Sequence, residues 1–198
     1  MAPLNDEQLN QIRDERRIQI MGAALRVFAR RGIIGTKMSM IAAEAGISHG
    51  LLYHYFTSKE ELFTTLVQGA MEASQEAMKE VYRLPGTPLD KIRRLSEEML
   101  DKSGALYFLL IHQARTSEGV PDKVIQLMRD YSLDTYVEVL MPLFREGQDR
   151  GELDAGDTEE MIASYISVLS GLMVVTADGN DDYRIPPVDR LLRMITKR

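Results

Sequence analysis

Apolar side chains recur along most of the chain every three or four residues, which is the spacing of helices that bury one face. Glycines, prolines and capping residues divide this pattern into stretches. They predict helices at residues 7–31, 38–45, 48–55, 58–83, 88–102, 105–116, 121–149, 157–177 and 187–197. The chain is therefore predicted to be all-α, with about nine helices and no strand.

The two shortest helices, at residues 38–45 and 48–55, are separated by a tight turn. Met38, Ile41, Ala42 and Ala45 place one apolar face on the first of them. Gly46 follows where a helix end needs a residue that tolerates positive φ. Thr36 and Ser48 precede the two helices and are predicted to be their N-caps. Two short helices joined by a glycine-containing turn are typical of a helix-turn-helix.

The second short helix has an unusual outer face. Leu52 and Phe56 are predicted to point inward, which leaves the other side to His49, Gly50, Leu51, Tyr53, His54 and Tyr55. A surface helix usually carries glutamate and lysine at such positions. Glycine inside a helix costs about 1 kcal/mol relative to alanine. Close approach of this backbone to the floor of a DNA groove would compensate for that loss.

A third helix begins directly afterwards at Ser58-Lys59-Glu60-Glu61, which is predicted to be a capping box with Ser58 as N-cap and Glu61 at N3. A helix start directs free N–H groups and positive dipole outward, which favours phosphate binding. Lys59 adds positive charge at the same place.

At residues 36–62 the chain resembles the TetR family of bacterial transcriptional regulators. The matching positions are Thr36, Ile41, Ala42, Ala45, Gly46, Ile47, Ser48, Gly50, Leu52, Tyr53, Tyr55, Phe56, Ser58, Lys59, Glu60 and Leu62. The remainder resembles the family in being all-helical and of similar length. The resemblance implies a DNA-binding domain at residues 1–57 and a helical ligand-binding and dimerisation domain at residues 58–198.

The resemblance also implies residue roles. Thr36 and Ser48 would contact phosphates, the front of the second short helix would lie over base edges, and Tyr53, Tyr55 and Lys59 would hold the DNA backbone. The full predicted DNA-contacting set is Thr36, Lys37, Ser39, Ser48, His49, Gly50, Leu51, Tyr53, His54, Tyr55 and Lys59. The chain has Ser39 where the family often has arginine, and Leu51 where it often has threonine. Leu51 suits the methyl group of thymine.

The charge distribution is compatible with DNA binding at one end only. The net charge of the whole chain is −6, whereas residues 1–60 carry 8 basic and 6 acidic side chains. So modest a positive excess neutralises few phosphates per subunit, which favours a dimer on a palindromic operator in double-stranded DNA.

Residues 161–177 are apolar and uncharged, near the lower limit of membrane-spanning length. Their serines, threonine and glycine argue against a membrane span. We expect a homodimer interface at Ser164, Ser167, Ser170, Gly171 and Val174, with an intramolecular core helix as the alternative.

A small-molecule effector is expected to bind in the larger half. The chain has twelve methionines, and methionine lines adaptable pockets as well as ordinary cores. We place the candidate pocket at Met71, Met78, Met99, Tyr107, His112, Met128, Tyr136, Tyr165 and Met173. Few cationic residues are expected to face inward there, which favours an apolar or aromatic effector.

The composition bears on other classes of function. Cysteine is absent, no phosphate-loop or hydrolase motif occurs, and none of the three histidines follows a glutamate at the spacing of a di-iron bundle. We therefore expect no enzyme activity, no metal and no cofactor. The N-terminus does not resemble a signal peptide, which favours a cytoplasmic protein. A repressor is the leading interpretation, and an activator or a chromosome-organising protein without an effector stays an alternative.

Overall fold

The protein folds into ten α-helices in a computed structural model that describes residues 6–177 and 183–197. Those residues contain no strand, so the all-α prediction is confirmed. The helices, in chain order, are α1 Asp6–Arg31, α2 Met38–Glu44, α3 His49–Tyr55, α4 Lys59–Glu80, α5 Pro88–Met99, α6 Ala105–Thr116, α7 Asp122–Asp130, α8 Leu133–Asp149, α9 Thr158–Ala177 and α10 Val188–Leu192.

A first hydrophobic core joins α1, α2, α3 and the first half of α4. The inward stripe of α1 consists of Ile20, Ala24, Val27 and Phe28, each at most 8% exposed. The rings of Phe28 and Phe63 meet edge to face, with 5.0 Å between their centroids. This core also takes in Leu110, Ala114 and Val124 from α6 and α7. Helix α1, on which α2 packs, and the first half of α4 are therefore in direct contact with α6 and α7 of the larger half.

A second hydrophobic core joins α5, α8, α9, α10 and the far end of α4. Along α4, residues up to Met71 belong to the first core, whereas Met78, together with Val81 just after the helix, belongs to the second. The half-buried Ser74 lies between them in sequence. One continuous helix thus contributes to both cores.

The single helix predicted at residues 121–149 is wrong, because the chain breaks at Tyr131 and Ser132 into α7 and α8. Ser132 has extended backbone angles, and the Thr135 hydroxyl donates to the Asp130 carbonyl oxygen at 3.1 Å. Side-chain hydrogen bonds of this kind compete with the helical ladder. The α8 helix is continuous through Pro142, and the hydroxyl of Tyr82 donates to the nearby Val139 carbonyl.

The last helix is shorter than predicted. The α10 helix covers only Val188–Leu192, and Arg193 to Ile195 continue as a turn instead of extending the helix to residue 197. The Ile195 carbonyl accepts a hydrogen bond from the Asp154 amide at 2.9 Å. That interaction with another segment replaces a helical hydrogen bond. Residues 178–182, which lie between the last two predicted helices, fall outside the described residues.

The helix starts around the turn are capped largely as the sequence predicts. The Ser48 hydroxyl accepts from the Leu51 amide at 3.2 Å, and the Ser58 hydroxyl accepts from the Glu61 amide at 3.0 Å. Glu61, however, does not close the predicted capping box on Ser58. Its carboxylate accepts from the amide and the hydroxyl of Thr57 at 2.7 and 2.6 Å. The cap therefore ties the residue before Ser58 to the first turn of α4.

These hydrogen bonds make stability dependent on pH. The side-chain and backbone donors of Thr57 hold the pKa of Glu61 below its ordinary value. The carboxylate therefore stabilises the fold above the ordinary glutamate pKa, and that stability is lost as the pH falls through the lowered value.

We predict that, as the pH is lowered from about 5 to about 3, the free energy of unfolding decreases less for Glu61→Gln than for the unmodified protein. The difference is on the order of 0.5 kcal/mol, because solvent screens this exposed group. Urea unfolding at several pH values measures it. Glu60→Gln is the matched control, since it removes a charge from the same helix start and leaves the Thr57 contact intact. Equal pH profiles for both variants would contradict the assignment.

Candidate functional site

Helix α3 buries one face and leaves the other in solvent. Leu52 is fully buried, and Phe56, which follows the helix, is 1% exposed. His49, Gly50, Leu51, Tyr53 and His54 are exposed, as the sequence predicts. Tyr55 is half-buried and packs against the first core, so less of its side chain is available outside. The exposed face is therefore formed mainly by rings and an aliphatic side chain, with no acidic group.

Two aromatic rings on this face are ordered against each other. The rings of His49 and Tyr53, four residues apart, meet at 86° with 4.9 Å between their centroids. Edge-to-face contact is a favoured arrangement for aromatic pairs. It limits the positions that both side chains adopt before any partner arrives.

Gly50 has no packing role within the protein. A Cβ atom built on it would meet no other atom within 4 Å, and its φ is not positive. The fold would therefore accept alanine at this helical position.

An open cleft of about 390 Å³ lies beside α3, between the starts of α2 and α4. It is lined by Thr36, Lys37, Met38, Ser39, His49, Tyr53, Thr57, Ser58, Lys59 and Glu60. Six of these belong to the predicted DNA-contacting set: Thr36, Lys37, Ser39, His49, Tyr53 and Lys59. The cleft combines two lysines, hydroxyl groups and the start of α4, which together suit a phosphate group.

Lys59 has a structural role that its position in the sequence did not indicate. Its Nζ atom donates to the carbonyl oxygens of Ile33 and Thr36 at 2.9 and 3.1 Å. An ammonium group has three N–H donors, so one remains for an anion in the cleft. Lys59 thus holds the turn between α1 and α2 while it lines the cleft.

The predicted role of Thr36 as N-cap of α2 is wrong. Its side chain is 1% exposed, and its hydroxyl donates to the Gly32 carbonyl at 2.7 Å. Lys37 is the N-cap residue, without a side-chain capping bond. Because the Thr36 hydroxyl is buried and already donates to Gly32, it is not available to contact a DNA phosphate directly.

Two contributors at this end of the molecule were missed from the sequence. The guanidinium of Arg17 lies 4.8 Å from the centroid of the Phe56 ring, so α1 packs a cation against the end of α3. Thr57 binds Glu61, four residues on, and a search for side-chain pairs at that spacing would have found it. Nothing local signals the Arg17 contact, because the two residues are 39 positions apart in the sequence.

The predicted effector residues do not all face the interior. Met71, Met78, Tyr136, Tyr165 and Met173 are buried, and Met99 and Met128 are partly buried. Tyr107 is 45% exposed, and His112 is also exposed, so both are wrong as interior lining. The α6 helix buries its opposite side through Ala105, Leu109, Leu110 and Ala114. Because the α6 sequence is apolar on nearly every side, the spacing of apolar residues could not predict which side of the helix is buried.

The two buried tyrosines differ in how their hydroxyl groups are satisfied. The Ser96 hydroxyl donates to the Ile92 carbonyl at 2.7 Å, so Tyr165 is the donor in its 2.9 Å contact with Ser96. The Tyr136 hydroxyl donates to the Met71 sulfur at 3.9 Å, and sulfur is a weak acceptor. Burial raises the pKa of Tyr136, against smaller opposing effects of Ser74 and Arg115. Tyr136 therefore keeps hydrogen-bonding capacity inside the larger half.

The α9 helix is apolar yet poorly covered. Of the helices in the described residues it alone has the length and hydropathy of a membrane span, with a mean hydropathy of 1.6 over 18 residues, of which 28% are buried. Of the predicted interface residues, Ser164, Ser167 and Gly171 are exposed, and Ser170 and Val174 are partly buried. Val175 on the same side is 46% exposed. This outer α9 face is made of small and apolar groups.

Comparisons with known proteins agree with this architecture. Residues 20–66 match the model of the family described as bacterial regulatory proteins, tetR family. The transcriptional repressor KstR2 of Mycobacterium tuberculosis is 28% identical over 145 residues, covering 71% of this chain and 72% of KstR2. The regulator TtgR of Pseudomonas putida is 28% identical over 182 residues, covering 84% of each chain.

Solved structures show the same fold. The KstR2 structure superimposes with a TM-score of 0.71 at 19% identity, covering 92% of this chain and 96% of that one. A regulator from Saccharomonospora viridis, solved in complex with choline, also gives 0.71, at 22% identity, with 93% and 100% covered. Residues 20–66 therefore carry the DNA-binding segment of the tetR family of bacterial regulatory proteins, and the chain along most of its length is similar to transcriptional regulators of that family.

Proposed function

We propose that this protein is a dimeric repressor that binds a palindromic operator and is released from it by a small apolar or aromatic effector. The family to which it is similar is one of DNA-binding transcriptional regulators. The observation that carries the proposal is the exposed face of α3, which has rings, an aliphatic side chain and a glycine but no acidic group, next to a cleft with two lysines. We place the protein in the cytoplasm, where its DNA is found.

In this proposal α3 enters the major groove. His49, Gly50 and Leu51 lie over base edges, and the Leu51 side chain packs on a thymine methyl group. Lys37, Ser39, Tyr53 and Lys59 around the cleft hold a phosphate, with the Ser48 end of α3 on another. His54 and the accessible part of Tyr55 complete the set. Base contacts then determine the sequence, whereas phosphate contacts determine the docking position.

A second copy of the chain covers the outer α9 face. Serine and glycine at residues 164, 167 and 171 permit close approach of two helix backbones, and Val174 and Val175 supply apolar area. The dimer places two α3 helices in successive major grooves, about 34 Å apart. Two subunits also double the number of neutralised phosphates, which the small positive excess of one subunit makes necessary.

The effector is proposed to enter where the two cores meet along α4. Ser74 and Tyr136 supply polar groups there, and Met71 and Met78 supply side chains that adapt to an irregular ligand. Displacement of Met71 frees the Tyr136 hydroxyl to donate to an oxygen or nitrogen of the effector. A shift of α4 then changes the spacing of the α3 helices, so effector and DNA oppose each other reciprocally.

The test is selection of bound duplexes from a random DNA pool with the purified protein. An enriched palindrome supports a dimeric, sequence-specific regulator. Small molecules are then screened for release of that duplex, followed by fluorescence anisotropy. A screen in which no compound lowers operator affinity, after a palindrome has been found, rejects the effector and leaves the DNA-binding part standing. Failure of the selection with ligand-free, refolded protein rejects the DNA-binding part itself.

Gly50→Ala is expected to raise stability and to weaken DNA binding. Alanine is the better helix former by about 0.8–1.0 kcal/mol, and the protein leaves room for its methyl group. On DNA the same methyl group would lie between the α3 backbone and the groove. Urea unfolding and operator anisotropy measure the two effects. Gly69→Ala on α4, equally unobstructed within the protein, is the control that stabilises without a change in affinity. Parallel behaviour of both variants would show that α3 does not approach DNA at Gly50.

Tyr53→Phe and Leu51→Ala are expected to act differently. Loss of the Tyr53 hydroxyl weakens binding to the operator and to unrelated duplexes by a similar factor, because it removes a phosphate contact. Loss of the Leu51 side chain lowers operator affinity by about 1–3 kcal/mol and changes the base preferred at one position in each half-site. Repeating the selection with each variant distinguishes the two roles. A new base preference for Tyr53→Phe would show that its role is assigned wrongly.

Gly171→Glu is expected to convert the dimer to a monomer, because it places a charge and a long side chain in the middle of the outer α9 face. Analytical ultracentrifugation measures the mass. Ala73→Glu, on an exposed position of α4, is the control and should remain dimeric. A Gly171→Glu dimer of undiminished stability would exclude this face as the interface.

A further inference from the structure

The α1–α2 turn, residues 32–36, is the place where the cleft is attached to the first core. The Thr36 amide donates to the Ile33 carbonyl at 3.3 Å, and the Thr36 hydroxyl donates to the Gly32 carbonyl. From the other side Lys59 donates to two carbonyls of the same turn. The position of the Lys59 ammonium therefore follows the position of this turn.

The larger half touches this turn directly, through side chains at the end of α6. Gly32 has a φ of +62°, and a Cβ atom built on it would lie 2.8 Å from Gln113 Oε1 and 3.0 Å from Ser117 Oγ. No side chain fits between these groups. The Ser117 hydroxyl donates to Gln113 Oε1 at 2.7 Å, which fixes the glutamine against Gly32.

A second contact lies two residues further along each segment. A Cβ atom built on Gly119 would lie 3.2 Å from Cγ1 of Ile34, whose side chain is otherwise 62% exposed. The end of α6 thus contacts the α1–α2 turn at Gly32 and Ile34, through Gln113, Ser117 and Gly119. We call these three residues the α6 corner.

We propose that Gln113 and Ser117 of the α6 corner position Lys59 for phosphate binding by holding the α1–α2 turn. The inference rests on the proposed DNA-binding function. The ends of the Gln113 and Ser117 side chains lie against the Gly32 backbone, so we expect the turn to follow a displacement of α6. The same turn contains the carbonyl groups of Ile33 and Thr36, which accept the hydrogen bonds of Lys59. Gln113 and Ser117 are then positioning residues for a phosphate contact that they do not make themselves.

The salt dependence of DNA binding tests this, since each phosphate contact contributes about 0.9 to the slope of log affinity against log salt concentration. The probe is a fluorescein-labelled duplex with the selected palindrome. Gln113→Ala is expected to weaken binding about three- to tenfold. It should also reduce the slope by about 1.8 for a dimer that loses one phosphate contact in each subunit. Gln126→Ala, the same change at an exposed position of α7, should alter neither quantity.

Lys59→Met should reduce the slope by the same amount, and the double variant Gln113→Ala with Lys59→Met should show no further reduction. A merely structural role for Gln113 lowers the fraction of active protein and leaves the slope unchanged. If Gln113→Ala folds poorly, Ile34→Ala tests the same contact between the turn and the α6 corner, because it removes an exposed side chain on the turn's side of that contact. An unchanged slope in either variant, or additive effects with Lys59→Met, overturns the inference. Absence of any DNA binding by the unmodified protein is a different result, which rejects the proposed function instead.

Discussion

The pair of hydrogen bonds from Lys59 to the carbonyls of Ile33 and Thr36 is the contact on which the proposed DNA-binding end depends. Carbonyl groups in a turn between two helices lie outside a helical ladder, and the Ile33 carbonyl accepts only a long bond from the Thr36 amide, at 3.3 Å, within the turn itself. A charged donor from the start of α4 adds a shorter hydrogen bond to Ile33 and a further one to Thr36. It thereby fixes α4 against the α1–α2 turn, sets where α2 begins, and closes one side of the cleft beside α3.

The long α4 helix gives this local arrangement a wider effect. Its near half packs with the helix-turn-helix and with α6 and α7, while its far end belongs to the core of α5, α8 and α9. Ser74 lies between the two apolar stretches of the helix. Neither core is therefore a self-contained unit, and the boundary after residue 57 stays a proposal about function. A change in either core acts on the other through one rigid element.

The sequence was most informative where the determining contacts are local. The caps at Ser48 and Ser58 and the positive φ of Gly46 each depend on residues within a few positions, and each was predicted correctly. Thr36 was misassigned although its deciding contact is local, because its hydroxyl donates to the Gly32 carbonyl four positions back, and this side-chain-to-backbone bond competes with capping of α2. Tyr107 and His112 were misplaced because α6 is apolar on nearly every side, so periodicity could not select its inner face. The break at Ser132 arose from side-chain hydrogen bonds that hydrophobic spacing does not register.

The thin coverage of α9 has a consequence for how the protein's stability is measured. Only 28% of the apolar stretch of α9 is buried in one protomer. Much apolar area that could stabilise the helix by burial therefore remains exposed to solvent. Association of two copies would add that burial, and folding would then be linked to protein concentration by mass action. The melting temperature of such a chain rises with the amount of protein in the sample. In a dilute cell, the abundance of this regulator would then help to determine both how firmly it is folded and how fully it occupies its DNA.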